Sequence, residues 1–385
     1  MANTTGSGLW LTSSALYLTT MVGLTPTEVA LGLSVSALVS LVASTPMGYI
    51  ADRYGPRMLQ VWFYLALTAL SAAMLLVTSV GGFILVASLT ALADAGQRGA
   101  RQATIARVIP REELVRTRAF FRSTANVGLT LGSSVAGIGL AVGTPVAYRA
   151  LILGNSISYL VIAWLALRLP DIAPTPRKTS GPRLTSLRDK PFLAFVALDG
   201  MMSMHHNILS LVLPLWIAQY TDAPHWLIAV CVIVNTAMVV LFQVRMSRGT
   251  EEVAGAIRAF RSAGALIAVS CLAFASSSFG PPPLTIGLIL VGAFLHVTGE
   301  LRHSAAGWGL SYELASADEQ GQYQATYAMG LQLGGMAAPI VLTSLVLGLG
   351  GAGWLLVAVL MLAPAAAIRP VVRWARRRTT VSVGH

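Results

Sequence analysis

The sequence predicts an all-α membrane protein whose twelve transmembrane helices form two halves of six. Three observations predict it. Of 385 residues, 55% are hydrophobic and 11% are charged, against roughly 25% charged in ordinary soluble proteins. Apolar stretches near 20 residues recur along the whole chain, and each can cross ~30 Å of hydrocarbon as a helix. A bilayer offers the backbone no hydrogen-bond partners, so such segments must be helical. Finally, 25 of the 26 Lys and Arg residues fall on one side of a twelve-span reading, leaving Arg149 alone on the other. Basic loops stay in the cytoplasm, so both termini are expected there. The net charge of +11 is then a membrane signature, and no nucleic-acid partner is expected.

The twelve spans read as 8–23, 27–50, 57–79, 81–103, 119–142, 146–168, 191–218, 224–246, 257–279, 284–305, 321–346 and 350–373. The first, "SGLWLTSSALYLTTMVG", is at the lower length limit for spanning, and no Lys or Arg precedes it. It lacks the charged start of a signal peptide. The expectation is that coding begins upstream of Met1 and lengthens this helix. "GLTPTE" turns the chain into span two, and "SFGPPP" breaks it before span ten. Residues 170–190, "PDIAPTPRKTSGPRLTSLRDK", are rich in proline and charge and read as a cytoplasmic linker. They separate a first bundle, 1–169, from a second, 191–373, with a tail at 374–385. Cys231 and Cys271 both fall in apolar runs, so no disulfide framework is implied.

Between spans two and three stands "MGYIADRYGPR", an island of charge between apolar runs. Gly48 permits close helix approach. Asp52 can face the positive end of a neighbouring helix or pair with an arginine. Gly55 and Pro56 make a tight turn, with Arg53 and Arg57 beside it and Arg57 expected on the lipid-phosphate side. The pattern G-x-x-x-D-R-x-G-x-R resembles the signature loop of the major facilitator superfamily, at the same place in a six-plus-six chain. Pro56 departs from it, since the family usually has a basic residue there. The resemblance implies two pseudo-symmetric bundles, alternating access, and a conformational latch at Gly48, Asp52, Arg53, Gly55 and Arg57. The other reading is a turn whose arginines only hold the helices in place. "QVRMSRGTEE" (Gln243–Glu252) is a faded copy in the second half, and Asp94 with Glu300, Gly128 with Gly334 and Glu113 with Glu319 align at one common offset. Such internal symmetry fits two related halves.

Ionisable residues inside a membrane are functional candidates by default. Asp94 and Arg98 share a face of span four, with Arg101 near; proton coupling and interfacial snorkelling both fit, and "ADAGQRGAR" departs from the family's pattern there. Span seven carries Asp199, His205 and His206, with Asp199 and His206 two turns apart on one helix face. Span ten carries His296 and Glu300. Asp199 or Glu300 is the expected proton-coupling carboxylate, with Asp94 in reserve. Asn126, Asn235 and Gln332 either line a path or join helices. Gly128 and Gly132 form G-x-x-x-G in span five, where the family's proton-driven drug antiporters usually show a glycine motif followed by proline; Ser133 stands in the proline's place, and close packing alone also explains the glycines.

No phosphate-binding G-x-x-x-x-G-K-[ST] loop, H-E-x-x-H, C-x-x-C or nucleophile elbow occurs. No enzymatic activity, cofactor or metal is therefore expected. The expectation is a monomeric secondary transporter in a bacterial inner membrane, whose partners are a small-molecule substrate, lipid and protons. Arginine outnumbers lysine 24 to 2, the composition of a GC-rich genome. Efflux is the first choice of mode. A nutrient importer or uniporter, or a membrane sensor on the same fold, are the rivals; the short basic tail leaves little room for a sensor's output domain.

Overall fold

The computed structural model describes residues 1–170, 184–316 and 319–382. The remainder of the linker and the last residues of the tail lie outside them. The described residues form helices and turns, with no strand among them. In order the helices are α1 Ala2–Leu16, α2 Pro26–Tyr54, α3 Pro56–Ala73, α4 Val80–Val108, α5 Arg111–Val142, α6 Pro145–Ala166, α7 Lys190–Ser203, α8 Leu213–Tyr220, α9 Trp226–Met246, α10 Val253–Ser276, α11 Pro282–Glu313, α12 Gln320–Leu349 and α13 Gly351–Ser382. Helices α7 and α8 are one interrupted span, joined by a π-turn at Ile208–Val212. Eleven described helices are long and apolar enough to cross a membrane. The exception is α1, as its brevity in sequence foretold, although a π-turn at Tyr17–Met21 extends it.

Local chemistry sets the helix starts. Thr25 and Glu28 form a reciprocal capping box ahead of α2, with Pro26 in the first turn, satisfying two amides that the helix cannot. Ser79 caps α4, Thr144 caps α6 and Asp189 caps α7. Gly55 (φ 82°) and Gly249 (φ 78°) make the corresponding turns of the two halves, a backbone conformation that side chains resist. Several helices overrun the predicted spans: α4 by five residues, α5 by eight at its start, and α11 by eight at its end. Hydropathy reads the thickness of the lipid, and a helix is free to continue into water.

The chain divides into two compact units. Unit 1 comprises Met1–Ile109, Thr124–Thr185 and Ser316–Thr326; unit 2 comprises Pro110–Ser123, Ser186–Ala315 and Tyr327–His385. Each takes in a short segment from the other half of the sequence. In unit 1, α2 packs on α4, and α3 on α4 and α6, with α1 against α6. In unit 2, α10 packs on α11 and α13, with α9 against α11 and α7 against α13. Small residues bring these backbones together: a Cβ on Gly99 would touch the Gly48 backbone, and one on Gly334 would meet the Gly200 carbonyl. The core of unit 2 is aromatic at one end, where Trp216 stacks on Tyr220 at 4.5 Å and meets Trp354 edge-on at 5.8 Å. Outward faces stay apolar, with Leu11, Val42, Ile138, Ile340 and Val359 all exposed. Such a surface needs an apolar solvent.

Candidate functional site

Unit 1 holds the first polar constellation. Asp52 ends α2 with only 4% of its surface exposed. Its two carboxylate oxygens accept from the backbone amides of Gly321 (3.1 Å) and Gln322 (2.9 Å), in the first turn of α12. Arg107 approaches at 3.4 Å from α4. Both partners anticipated for this aspartate, a helix N-terminus and an arginine, are therefore present. One turn earlier, Gly48 faces the Gly321 carbonyl and the Ala325 methyl so closely that a Cβ would collide with both. One turn earlier again, the hydroxyls of Thr45 and Thr326 bond at 3.1 Å. The loop signature is thus a strap that fastens the start of α12 to α2. Thr185 extends it by donating to Glu319 at 2.8 Å.

The arginines of this loop have separate duties. The Arg53 guanidinium lies over the Tyr49 ring at 5.2 Å. Arg57 donates to the Leu167 carbonyl at 2.5 Å. It therefore caps the C-terminal end of α6, where a cation is favourable.

Deeper in unit 1, Asp94 pairs with Arg98 and accepts from Gln97 at 2.9 Å, while Arg98 reaches Ser40 of α2 at 2.9 Å. The expected pair exists, and it ties α4 to α2. Arg101 sits half-buried one turn further along α4. Asp94 also lines a cavity of about 260 Å³ with Trp10, Ser36, Ser71, Thr90 and Tyr159 among its walls. Gly128 and Gly132 lie against α1: their missing side chains admit Thr4 and the Thr5 carbonyl. Close packing accounts for both. Asn126, on the same helix, is half-buried, as is Gln332 on α12.

Unit 2 holds the second constellation. Helix α7 stops at Ser203, and its irregular continuation frees backbone carbonyls. Such breaks occur in membranes where neighbours re-satisfy the backbone, and here histidines do so. The His206 ring donates through Nδ1 to the Ser203 carbonyl at 2.8 Å, and His296 donates through Nε2 to the His205 carbonyl at 3.1 Å. The expected Asp199–His206 pair is not formed, because the helix that would align them is interrupted between them. Asp199, fully buried, instead accepts from His303 of α11 at 3.1 Å, and His303 meets His205 at 3.1 Å. Gly307 makes room for this arrangement, since a Cβ there would strike the Tyr327 hydroxyl and the Asp199 carboxylate. His206 stacks on His205 at 4.2 Å but is itself exposed.

Glu300 is bound on both oxygens. Asn235 of α9 donates to one at 2.9 Å, and Arg122 of α5 pairs with the other. Arg122 also bonds Ser304. Nearby on α5, Arg118 donates to the Tyr312 hydroxyl at 2.8 Å, and Ser123 donates to the Val240 carbonyl at 3.1 Å. The start of α5 is therefore strapped to α11 and α9 within unit 2, as the start of α12 is strapped to α2 within unit 1. Sequence reading missed Arg122, His303 and Ser304. A signal existed for two of them: His296, Glu300, His303 and Ser304 recur at three- and four-residue steps, which place them on one helix face. For Arg122 no local signal existed.

Residues 1–339 match the sequence profile of the Major Facilitator Superfamily. No curated protein matches the chain in sequence. Among solved structures, the chain is similar to a bacterial homologue of the iron transporter ferroportin in an outward-facing state (13% identity, TM-score 0.74, covering 98% of this chain and 97% of that one). It is similar to a human organic anion transporter (16%, 0.66, 96% and 96%). It is also similar to a proton:xylose symporter bound to 6-bromo-6-deoxy-D-glucose (14%, 0.67, 96% and 94%). At these identities the likeness concerns the fold, and three such different cargoes show that the fold selects none.

Proposed function

Because this chain belongs to the Major Facilitator Superfamily, a family of membrane transporters, we propose that it exports a small molecule by alternating access, driven by protons moving inward. The observation that carries alternating access is the Asp52 strap. A carboxylate held by two amides of a helix start is strong while aligned and is lost when the helix moves. It is therefore suited to define one end state of a two-state cycle. The two bundles, 1–169 and 191–373, are the bodies that would rock, with the 170–190 linker and both termini in the cytoplasm of a bacterial inner membrane.

For the coupling group, the geometry favours Asp94 over Asp199 and Glu300. Asp94 lines a cavity, and its partner Arg98 lies on the same helix one turn away. Proton arrival would release Arg98 to Ser40 alone, and substrate would bind in the cavity between an apolar wall (Trp10, Phe83) and a hydroxyl-bearing one (Ser36, Thr90). A monomer suffices for this cycle. The test is flux in proteoliposomes across a panel of amphipathic molecules, with and without an imposed pH gradient. Efflux driven by the gradient is expected. Flux indifferent to the gradient would make the protein a uniporter, and binding without flux would make it a sensor.

A further inference from the structure

The histidine cluster of unit 2 has a feature that transport of an organic molecule does not use. The Nδ1 atoms of His205 and His296 are both buried and have no hydrogen-bond partner. The network assigns their state. With Asp199 as a carboxylate, His303 donates to it through Nε2. The neutral His303 ring then has a bare Nδ1, which accepts from Nε2 of His205. That leaves Nδ1 of His205 as a lone pair. His296 donates its Nε2 proton to the His205 carbonyl, so its Nδ1 is a lone pair too. Two buried imidazole nitrogens without a partner are costly unless something binds them.

A carboxylate completes the set. One ligand atom from each of His205, His296 and Glu300 lies within 4.8 Å of the other two. A tetrahedral metal with bonds of about 2.0–2.1 Å holds its ligands roughly 3.4 Å apart, so a small inward shift of the side chains closes the site. The backing also suits a metal centre: with Nδ1 as the ligand atom, each ring is fixed through its Nε2, one by a backbone carbonyl and the other through His303 to Asp199. Such outer partners orient a histidine ligand and strengthen it as a donor.

We propose that His205, His296 and Glu300 bind a divalent first-row transition-metal ion, and that Arg122 occupies Glu300 when the metal is absent. Two imidazole donors select this class over magnesium or calcium, which prefer oxygen. Charge supports the exchange. A divalent ion supplies to the Glu300 carboxylate the positive charge that Arg122 supplies in its absence. Arg122 lies on the segment of α5 strapped to α11, so the metal and the strap compete for one carboxylate.

The test uses the purified full-length protein without a polyhistidine tag, titrated with Co²⁺ and followed by its visible ligand-field bands. One Co²⁺ per chain is expected, uncontested by excess Mg²⁺. His205→Gln and His296→Gln should each weaken binding by at least about tenfold. Arg122→Gln should tighten it by about tenfold, a direction that a damaged fold cannot produce. The proposal is overturned if the wild type binds no Co²⁺, if both histidine variants bind like wild type, or if Arg122→Gln fails to tighten binding.

Discussion

Replacing Asp52 with asparagine tests the strap at its strongest point. The aspartate accepts from two amides at 3.1 and 2.9 Å. Asparagine keeps one acceptor oxygen and turns an NH₂ group towards the other amide. One charge-assisted bond, worth about 1.5–3 kcal/mol, is lost, and the other becomes an ordinary neutral one. The favourable field at the α12 start, up to ~2 kcal/mol in partly buried sites, is lost as well. The Arg107 contact at 3.4 Å adds little, since that arginine is partly solvated. A net weakening of about 3 kcal/mol shifts the strapped population roughly 100-fold, at 1.4 kcal/mol per decade. The reporter is a cysteine at Thr326, which is fully buried against Thr45 in the strapped form. The native Cys231 and Cys271 are buried and give little background. In Thr326→Cys, adding Asp52→Asn should raise maleimide labelling by about that factor and slow transport at equal surface expression. Unchanged labelling together with a wild-type rate would refute the latch.

Gly48→Ala places a methyl against the Gly321 carbonyl and Ala325; overpacking of this kind costs about 1–3 kcal/mol. It should lower transport and raise Thr326→Cys labelling while insertion is normal, as read by surface biotinylation and the labelling assay. Asp94→Asn should abolish gradient-driven efflux but retain substrate exchange in proteoliposomes; full gradient-driven transport in that variant would remove Asp94 from the coupling role. Trp216→Phe deletes the indole bond to Ser277 at 3.0 Å and part of a stacked aromatic core. A loss of about 1–3 kcal/mol should appear as a lower melting temperature in detergent, with transport intact at permissive temperature.

Much of this architecture was legible in the sequence because a membrane makes hydropathy decisive. The spans, the short first helix and the Gly55 turn followed from local composition. The pairing of Asp94 with Arg98 followed from helical spacing, and Asp52 was recognisable because its motif sits at one defined turn. What escaped were relationships between distant segments. Arg122 counted as one more cytoplasmic charge, and nothing near it in sequence points to Glu300, 178 residues away. The Asp199–His206 pairing assumed an unbroken helix, but the chain changes pitch just after Ser203, and tertiary bonds from α11 hold that change in place. The partner of Arg57 was hidden for the same reason, since the end of α6 it caps lies 110 residues downstream.

The composition of unit 1 also bears on how the protein is made. Asp52 emerges from the ribosome long before its amide partners, which lie 269 and 270 residues downstream. At ordinary elongation speeds of about 5–20 residues per second, the interval is roughly 15–50 s. Once Arg107 has followed, the carboxylate can pair with it but has no α12 amides, and the Gly48 backbone has Gly99 of α4 against it but not Gly321 and Ala325. The membrane must therefore hold a nascent first half whose packing is finished only when Ser316–Thr326 arrives. A ribosome that stalls before Ser316 leaves an inserted but unfinished body, with a buried-type acid and a glycine groove exposed to whatever quality-control protease surveys that face.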